Sequence, residues 1–397
     1  MPDIDYLELD TAPITAEDEL GALGELTTGR PEPISHRRPA RHPPGLLRRL
    51  AHAPEHQAPF TGRHWLGRAV ALLAGVFAIG TAFIASYVGT LHEPVAHRVP
   101  VGIVRADVGA SALLSGTAAL SVVVYDSAAE ADRAVADRAV YAVLGTDPVD
   151  DGLRLTVAGG AAPGAADLVR QTVTGLADAA RIPLSVRDTH PTSPRDPRGL
   201  TPYHLVAAWV LGGYLAATAL AVIVGTVPRG WDRVGLRLAV FAGFAALFAL
   251  SGVGLVGPGF GIWSGHGPAL WATGTLVVFA SAVLSAALEG WLGLVGTGLG
   301  MLLLFALNPA AGGLAPPELL PGAFRGFAAW LPTGQGTELV RAVEYFDGQA
   351  IGRPLAGLLG WIVAGLAGVL GATVALRRRR PVTTATVAAA DGAGAGR

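Results

Sequence analysis

The sequence predicts an α-helical integral membrane protein with six transmembrane helices and a small α/β extracytoplasmic domain between helices 1 and 2. Three observations predict it. Hydrophobic residues make up 51% of the chain and charged residues 15%, which is too apolar for an ordinary soluble protein. Apolar stretches long enough to approach the roughly 20 residues of a membrane-crossing helix recur along the chain. The formal net charge of −1 conceals a segregation of charge, acidic then basic before the first apolar stretch and basic after the last.

Residues 1–64 read as a disordered cytoplasmic tail. The charged side chains of Met1–Gly29 are acidic, and those that follow to Arg68 are dominated by arginines among Pro and His. Block charge with little apolar surface cannot offset the entropy of ordering. Within it, GLLRRLA (Gly45–Ala51) has two readings: a short segment lying on an anionic membrane surface, or a solvated basic tail that fixes topology. Residues 65–91 carry the first span, whose charge-free core runs from Ala69 to Leu91. Arg63 and Arg68 precede it, and the positive-inside rule then holds the N-terminus in the cytoplasm.

Residues 92–203 form the one sizeable polar region. Strands are expected at Val99–Asp107, Leu120–Asp126, Val140–Gly145, Leu153–Gly159 and Pro183–Asp188. Helices are expected at Ser127–Ala139, with Ser127 and Glu130 as a capping box, and at Ala165–Arg181. Alternating strands and helices argue for an α/β domain of about one hundred residues. Residues 204–307 hold spans two to five, at His204–Val227, Leu238–Val256, Ala269–Leu288 and Trp291–Leu307, the last of them short for a complete crossing. Residues 308–354 are an outer-face loop with short interfacial helices, 355–376 the sixth span and 377–397 a basic cytoplasmic tail. Arg229, Arg233 and Arg237 between spans two and three, and Arg377–Arg380 after span six, put both termini inside.

Function classes fall away quickly. The chain has no cysteine, and all 29 of its Lys and Arg residues are Arg. Disulfides, thiolate metal sites, a Walker A lysine and a Schiff-base lysine are therefore absent. No pair or triad of side chains stands at catalytic or metal-ligand spacing, so no catalytic residue, metal or cofactor is expected, nor a nucleic-acid partner. The glycines of WLGLVGTGLG (Gly293, Gly296, Gly300) are expected to let helices pack closely. No ionisable residue falls at mid-span; Glu289 is expected at the tight connection between spans four and five, at the cytoplasmic interface.

Two stretches carry a resemblance. VPVGIVRADVGAS (Val99–Ser111) followed by VVVYDSAAEADRAVADRAVYAVLG (Val122–Gly145) is one. The other is Asn308–Gly348, with NP, PPELLP, WLPTGQG and LVRAVEYFDG. Together with the order of tail, span, α/β domain and five spans, they resemble the permease subunits of type-2 ABC transporters, close to the phage-infection-protein (Pip) group. The resemblance implies a multi-pass protein of the bacterial inner membrane, a homodimer or heterodimer, exporting a substrate with energy from a separate ATPase subunit. It implies ATPase contacts on inner loops, at Arg229, Trp231, Asp232 and Arg233 and at Glu289; positive-inside anchoring explains the first group equally well. It also implies short helices at the outer face. Amphipathic patterning there sets Leu319, Leu320, Phe324, Phe327 and Trp330 against lipid or the spans, and leaves Glu338, Arg341 and Glu344 as a polar face able to pair together or with the α/β domain. A lipid-like or amphipathic cargo is expected from spans without internal charge. Two rivals stay open: a non-transporting surface receptor or scaffold acting through its ectodomain, and a proton-driven exporter, disfavoured by the missing intramembrane carboxylate.

Overall fold

The computed structural model describes residues 64–91, 96–147, 149, 151–228, 230–309, 312–313, 315–322, 324–325 and 330–378. Five helices are long and apolar enough to cross a membrane. They are α1 (His64–Leu91), α5 (Thr201–Val224), α6 (Trp231–Gly254), α7 (Gly267–Leu292) and α10 (Gly352–Arg378). The expected fifth span, Trp291–Leu307, is not one helix. Trp291 and Leu292 finish α7, Gly293 turns the chain with φ 58°, and eight residues of α8 (Leu294–Met301) run into a five-residue π-helical turn, Leu302–Ala306. Glycine takes that left-handed corner without a Cβ penalty.

Between α1 and α5 the chain builds a five-stranded mixed sheet of order β2-β1-β3-β4-β5. The strands are β1 (Val99–Val104), β2 (Leu120–Tyr125), β3 (Ala142–Thr146), β4 (Leu153–Val157) and β5 (Leu184–Asp188). Only β3 and β4 pair antiparallel. Each parallel step needs a crossover, and helices α2 (Val108–Leu114), α3 (Ala128–Ala136) and α4 (Pro163–Ala180) supply them. Alternation decides the two faces: Val101, Ile103, Leu144 and Leu155 bury under α2 and α4, whereas Val143 packs with Ala131 and Val135 of α3. A fully buried Val or Leu contributes roughly 1.5–3 kcal/mol, which suffices for a unit that has no disulfide. Asp107 and Ser127 cap α2 and α3, accepting from the backbone N–H of Ala110 and Glu130. The second arm of the box reaches one residue further back than expected, Glu130 accepting from the N–H of Asp126 at 3.1 Å.

In the helical part α7 is the hub: 67% of its apolar window is buried, against 6% for α1. The cause is a set of small residues, because in lipid close packing replaces the hydrophobic drive. A Cβ on Gly274 of α7 would lie 2.6 Å from the Trp209 ring of α5, and one on Gly252 of α6 would lie 2.6 Å from Trp209 Nε1. Trp209 thus sits in a slot made by two glycines. Gly213 of α5 lies against Ser281 Oγ and the Val278 carbonyl, and Gly365 of α10 lies 2.7 Å from Val283 by the same measure. Of the expected packing glycines, Gly296 lies against the Leu288 carbonyl and Gly300 against Tyr214, while Gly293 serves the corner instead.

Candidate functional site

Helix α9 (Pro332–Tyr345) is where the sequence reading needs most correction. The sequence sets it at the outer face as a short interfacial helix, with Glu338, Arg341 and Glu344 as a polar side able to pair together or with the α/β domain. Instead Pro332 to Val343 are buried with few exceptions, because α9 wedges against α5, α7 and α10. Glycine permits this: a Cβ on Gly336 would stand 2.8 Å from Val206 of α5 and 3.0 Å from Val277 of α7, and Gln335 lies against Gly357 of α10. Pro332 in the first turn forfeits no helical hydrogen bond.

The polar residues of α9 are consequently spent on buried contacts. Arg341, 3% exposed, donates to Glu338 Oε1 at 3.0 Å and to the Gly313 carbonyl at 2.8 Å. Glu338 also accepts from Arg138, which follows α3, at 2.8 Å, and Arg138 donates in turn to the carbonyls of Glu338 and Ala350. Beside this row Tyr141 donates to Glu318 Oε2 at 2.9 Å, and the His97 N–H to the Glu318 carbonyl. Burial first, then the Glu318 and Glu338 carboxylates, hold the Tyr141 hydroxyl well above its ordinary pKa, so it remains a donor. Phe346 completes the seam, stacked on His190 at 4.4 Å and with the Arg138 guanidinium 5.6 Å from its ring centre. Buried, paired charges of this kind fix one relative placement rather than add much stability.

The other expected outer-face residues separate. Leu319, in a 3₁₀ turn (Pro317–Leu319), enters the core of the sheet rather than facing lipid or the spans. Leu320 is fully buried, Phe324 lies near Gly89 of α1, and Trp330 is 74% exposed with its carbonyl held by Trp361 Nε1. Glu344 does not join Glu338 and Arg341; its buried carboxylate stands 3.8 Å from His266. Phe327 lies outside the described residues.

At the far end of α7 stands a second polar group. Trp231, Asp232 and Arg233 occupy the exposed first turn of α6, which begins seven residues before the expected span; Arg229 lies outside the described residues. Asp232 there complements the helix dipole. Arg237 is not a loop charge. It is buried and donates to the carbonyls of Gly225 (3.2 Å) and Thr226 (2.8 Å), closing the C-terminal end of α5. Glu289 is not in a connection either. It lies inside the last turn of α7 and is 1% exposed, with Oε1 accepting from Thr218 of α5 (2.8 Å) and Thr297 of α8 (3.3 Å), and Oε2 without a hydrogen-bond partner among the described residues. A run of apolar residues ending in Glu-Gly-Trp looks like a span stopping at a charge; only the threonines of two other helices show that the charge is enclosed.

No protein-family model, curated protein or solved structure matches the chain. The described residues contain no group of three or more His, Cys, Asp or Glu side chains able to hold a metal. What the arrangement can do chemically is mechanical and electrostatic. One end of the bundle is tied by charge to the sheet, and the other holds a carboxylate with an open lone pair.

Proposed function

We propose that the chain is the membrane-spanning permease of an ABC-type exporter, moving a lipid-like or amphipathic substrate outward with energy from a separate ATPase. In this reading the α/β unit is an extracytoplasmic domain, Leu294–Ala306 makes the fifth of six crossings, and both termini are cytoplasmic in a bacterial inner membrane. One observation carries it: the Arg138–Glu338–Arg341 row fastens the α/β unit to a helix wedged among three membrane helices, so the unit cannot shift without moving them. A receptor that works through its ectodomain needs no such linkage. The exposed turn Trp231–Arg233 is the surface offered to an ATPase, next to the buried Arg237 and Glu289 that a push there would disturb. A native pull-down with the full chain tests this. An ATPase that copurifies, and is lost when Trp231, Asp232 and Arg233 are replaced by alanine together, supports it; no associated ATPase refutes it.

The proton-driven rival gains a specific observation, the enclosed Glu289. It predicts efflux that follows the pH gradient and stops in Glu289→Gln, whereas the ATPase reading predicts export insensitive to that gradient.

A further inference from the structure

A cleft of about 690 Å³ opens beside the N-terminal end of α7, between the chain that follows α6 and the C-terminal end of α9. Among its walls are Arg195, Val253, Trp263, His266, Leu270 and Glu344. Two charges in it are poorly answered. The Glu344 side chain is 3% exposed, the His266 ring stands beside it with Nδ1 3.8 Å from Oε2, and its Oε1 has no hydrogen-bond partner among the described residues. His266 is itself shared with Asp347, at 3.2 Å from its Nε2. A buried carboxylate with an open lone pair is costly unless a donor or cation meets it. Burial holds the Glu344 carboxyl above the ordinary carboxylate range, and the opposing pull of His266 is the smaller effect. The guanidinium of Arg195 lies against the loop, donating to the carbonyls of Gly261 (2.7 Å) and Phe260 (3.4 Å), and has no ion-pair partner among the described residues. Its charge is positioned but not neutralised.

We propose that the cleft binds the headgroup of an amine-bearing zwitterionic phospholipid, with the ammonium at Glu344 and the phosphate at Arg195. The ammonium supplies the donors that Glu344 Oε1 lacks, and the Trp263 indole, set edge-on to Tyr345, provides an aromatic wall of the kind cations favour. A guanidinium presents several N–H donors to phosphate oxygens. Val253 of α6 and Leu270 of α7 continue the cleft along helices that cross the membrane, and Leu255 and Phe260 leave apolar surface exposed beside it. Acyl chains therefore stay in the bilayer while the headgroup is held, which favours a lipid over a free phosphoamine. The proposal rests on the bilayer placement of α6 and α7 and not on ATPase coupling, so it can stand or fall with no ATPase in the sample.

The full chain in nanodiscs of mixed phosphatidylethanolamine and phosphatidylglycerol, released into native mass spectrometry, provides the test. Wild type is expected to retain phosphatidylethanolamine preferentially. Glu344→Gln should lower that retention about tenfold without changing phosphatidylglycerol, and Arg195→Gln should weaken both lipids. Glu344→Asp, which keeps the charge, should restore part of the preference and so separates loss of recognition from loss of fold. Equal retention of phosphatidylethanolamine by wild type and Glu344→Gln overturns the proposal. So does full competition by soluble glycerophosphoethanolamine at lipid-equivalent concentration, which would make the ligand a free solute.

Discussion

Glu338 is the shared carboxylate of two guanidiniums, Arg138 and Arg341, the first 9% and the second 3% exposed. Replacing it by Gln removes the charge both guanidiniums share and leaves them backbone carbonyls alone; Glu338 is itself 42% exposed, so the cost is about 1–2 kcal/mol, between an exposed and a buried pair. Arg138→Met leaves the Glu338–Arg341 pair intact and should cost clearly less. Thermal melts of the detergent-solubilised protein compare them; equal losses would mean that the three residues do not act as one row. His190 brings a pH dependence to the same seam. Burial lowers its pKa, outweighing the carboxylates of Asp188 and Asp347 that pull it up. A depressed folded pKa means that its contribution is present above the ordinary value of 6.5 and lost as pH falls through the folded one. Protection factors at Thr189–His190 and Tyr345–Phe346, with the intrinsic pH dependence of amide exchange divided out, should therefore fall between pH 7.5 and 5.5 in wild type and stay flat in His190→Gln. Sequence alone shows that Glu338 and Arg341 share a helical face. It cannot show that Arg138, two hundred residues earlier, is the third member.

The helices meet through small residues, and this makes glycine substitutions selective. Leucine at Gly213 would drive its side chain into Ser281 and the Val278 carbonyl, separating α5 from the hub α7. Overpacking of this kind costs about 1–3 kcal/mol. A Cβ on Gly243 of α6 meets nothing within 4 Å, so leucine there starts into open space, gains helix propensity and should be neutral or slightly stabilising. Expression and melting of the two variants in the same detergent check the contrast. Elements were legible where one local pattern decides them. Charge-free runs gave the long helices, and the strands β1 to β5 follow from apolar runs bounded by turns. Where partners decide, the pattern misleads. Helix α2 is seven residues whose only local sign is the Asp107 cap. Helix α9 carries Thr, Gln, Glu and Arg and so reads as a surface helix; of the glycines that let it sink between membrane helices, Gly336 looks like loop punctuation in the sequence and Gly357 like an ordinary residue of the sixth span. The short fifth stretch reads as a span by composition, but Gly293 divides it.

At the scale of the molecule α7 joins the two polar ends. Its 26 residues, at 1.5 Å each, make a helix about 39 Å long, with the His266–Glu344 group at one end and Glu289 about 33 Å along it, in the last turn. The hub is packed by small residues on several sides, so it transmits displacement better than it absorbs it. If the α/β unit moves in a transport cycle, the seam at α9 is where that motion enters the bundle, and fixing the seam should stop it. The chain has no cysteine, so Arg138→Cys with Glu338→Cys gives a unique thiol pair that a short bismaleimide can close. The pair removes the salt bridge, and the closed linker restores a fixed distance in its place. The permease reading predicts that the closed form still copurifies with its ATPase but no longer stimulates ATP hydrolysis in bilayers, while the open double variant keeps partial activity. Hydrolysis unchanged by closure would mean that the α/β unit rides on the bundle without taking part. That outcome would favour the rival reading, in which the α/β unit acts as an independent receptor.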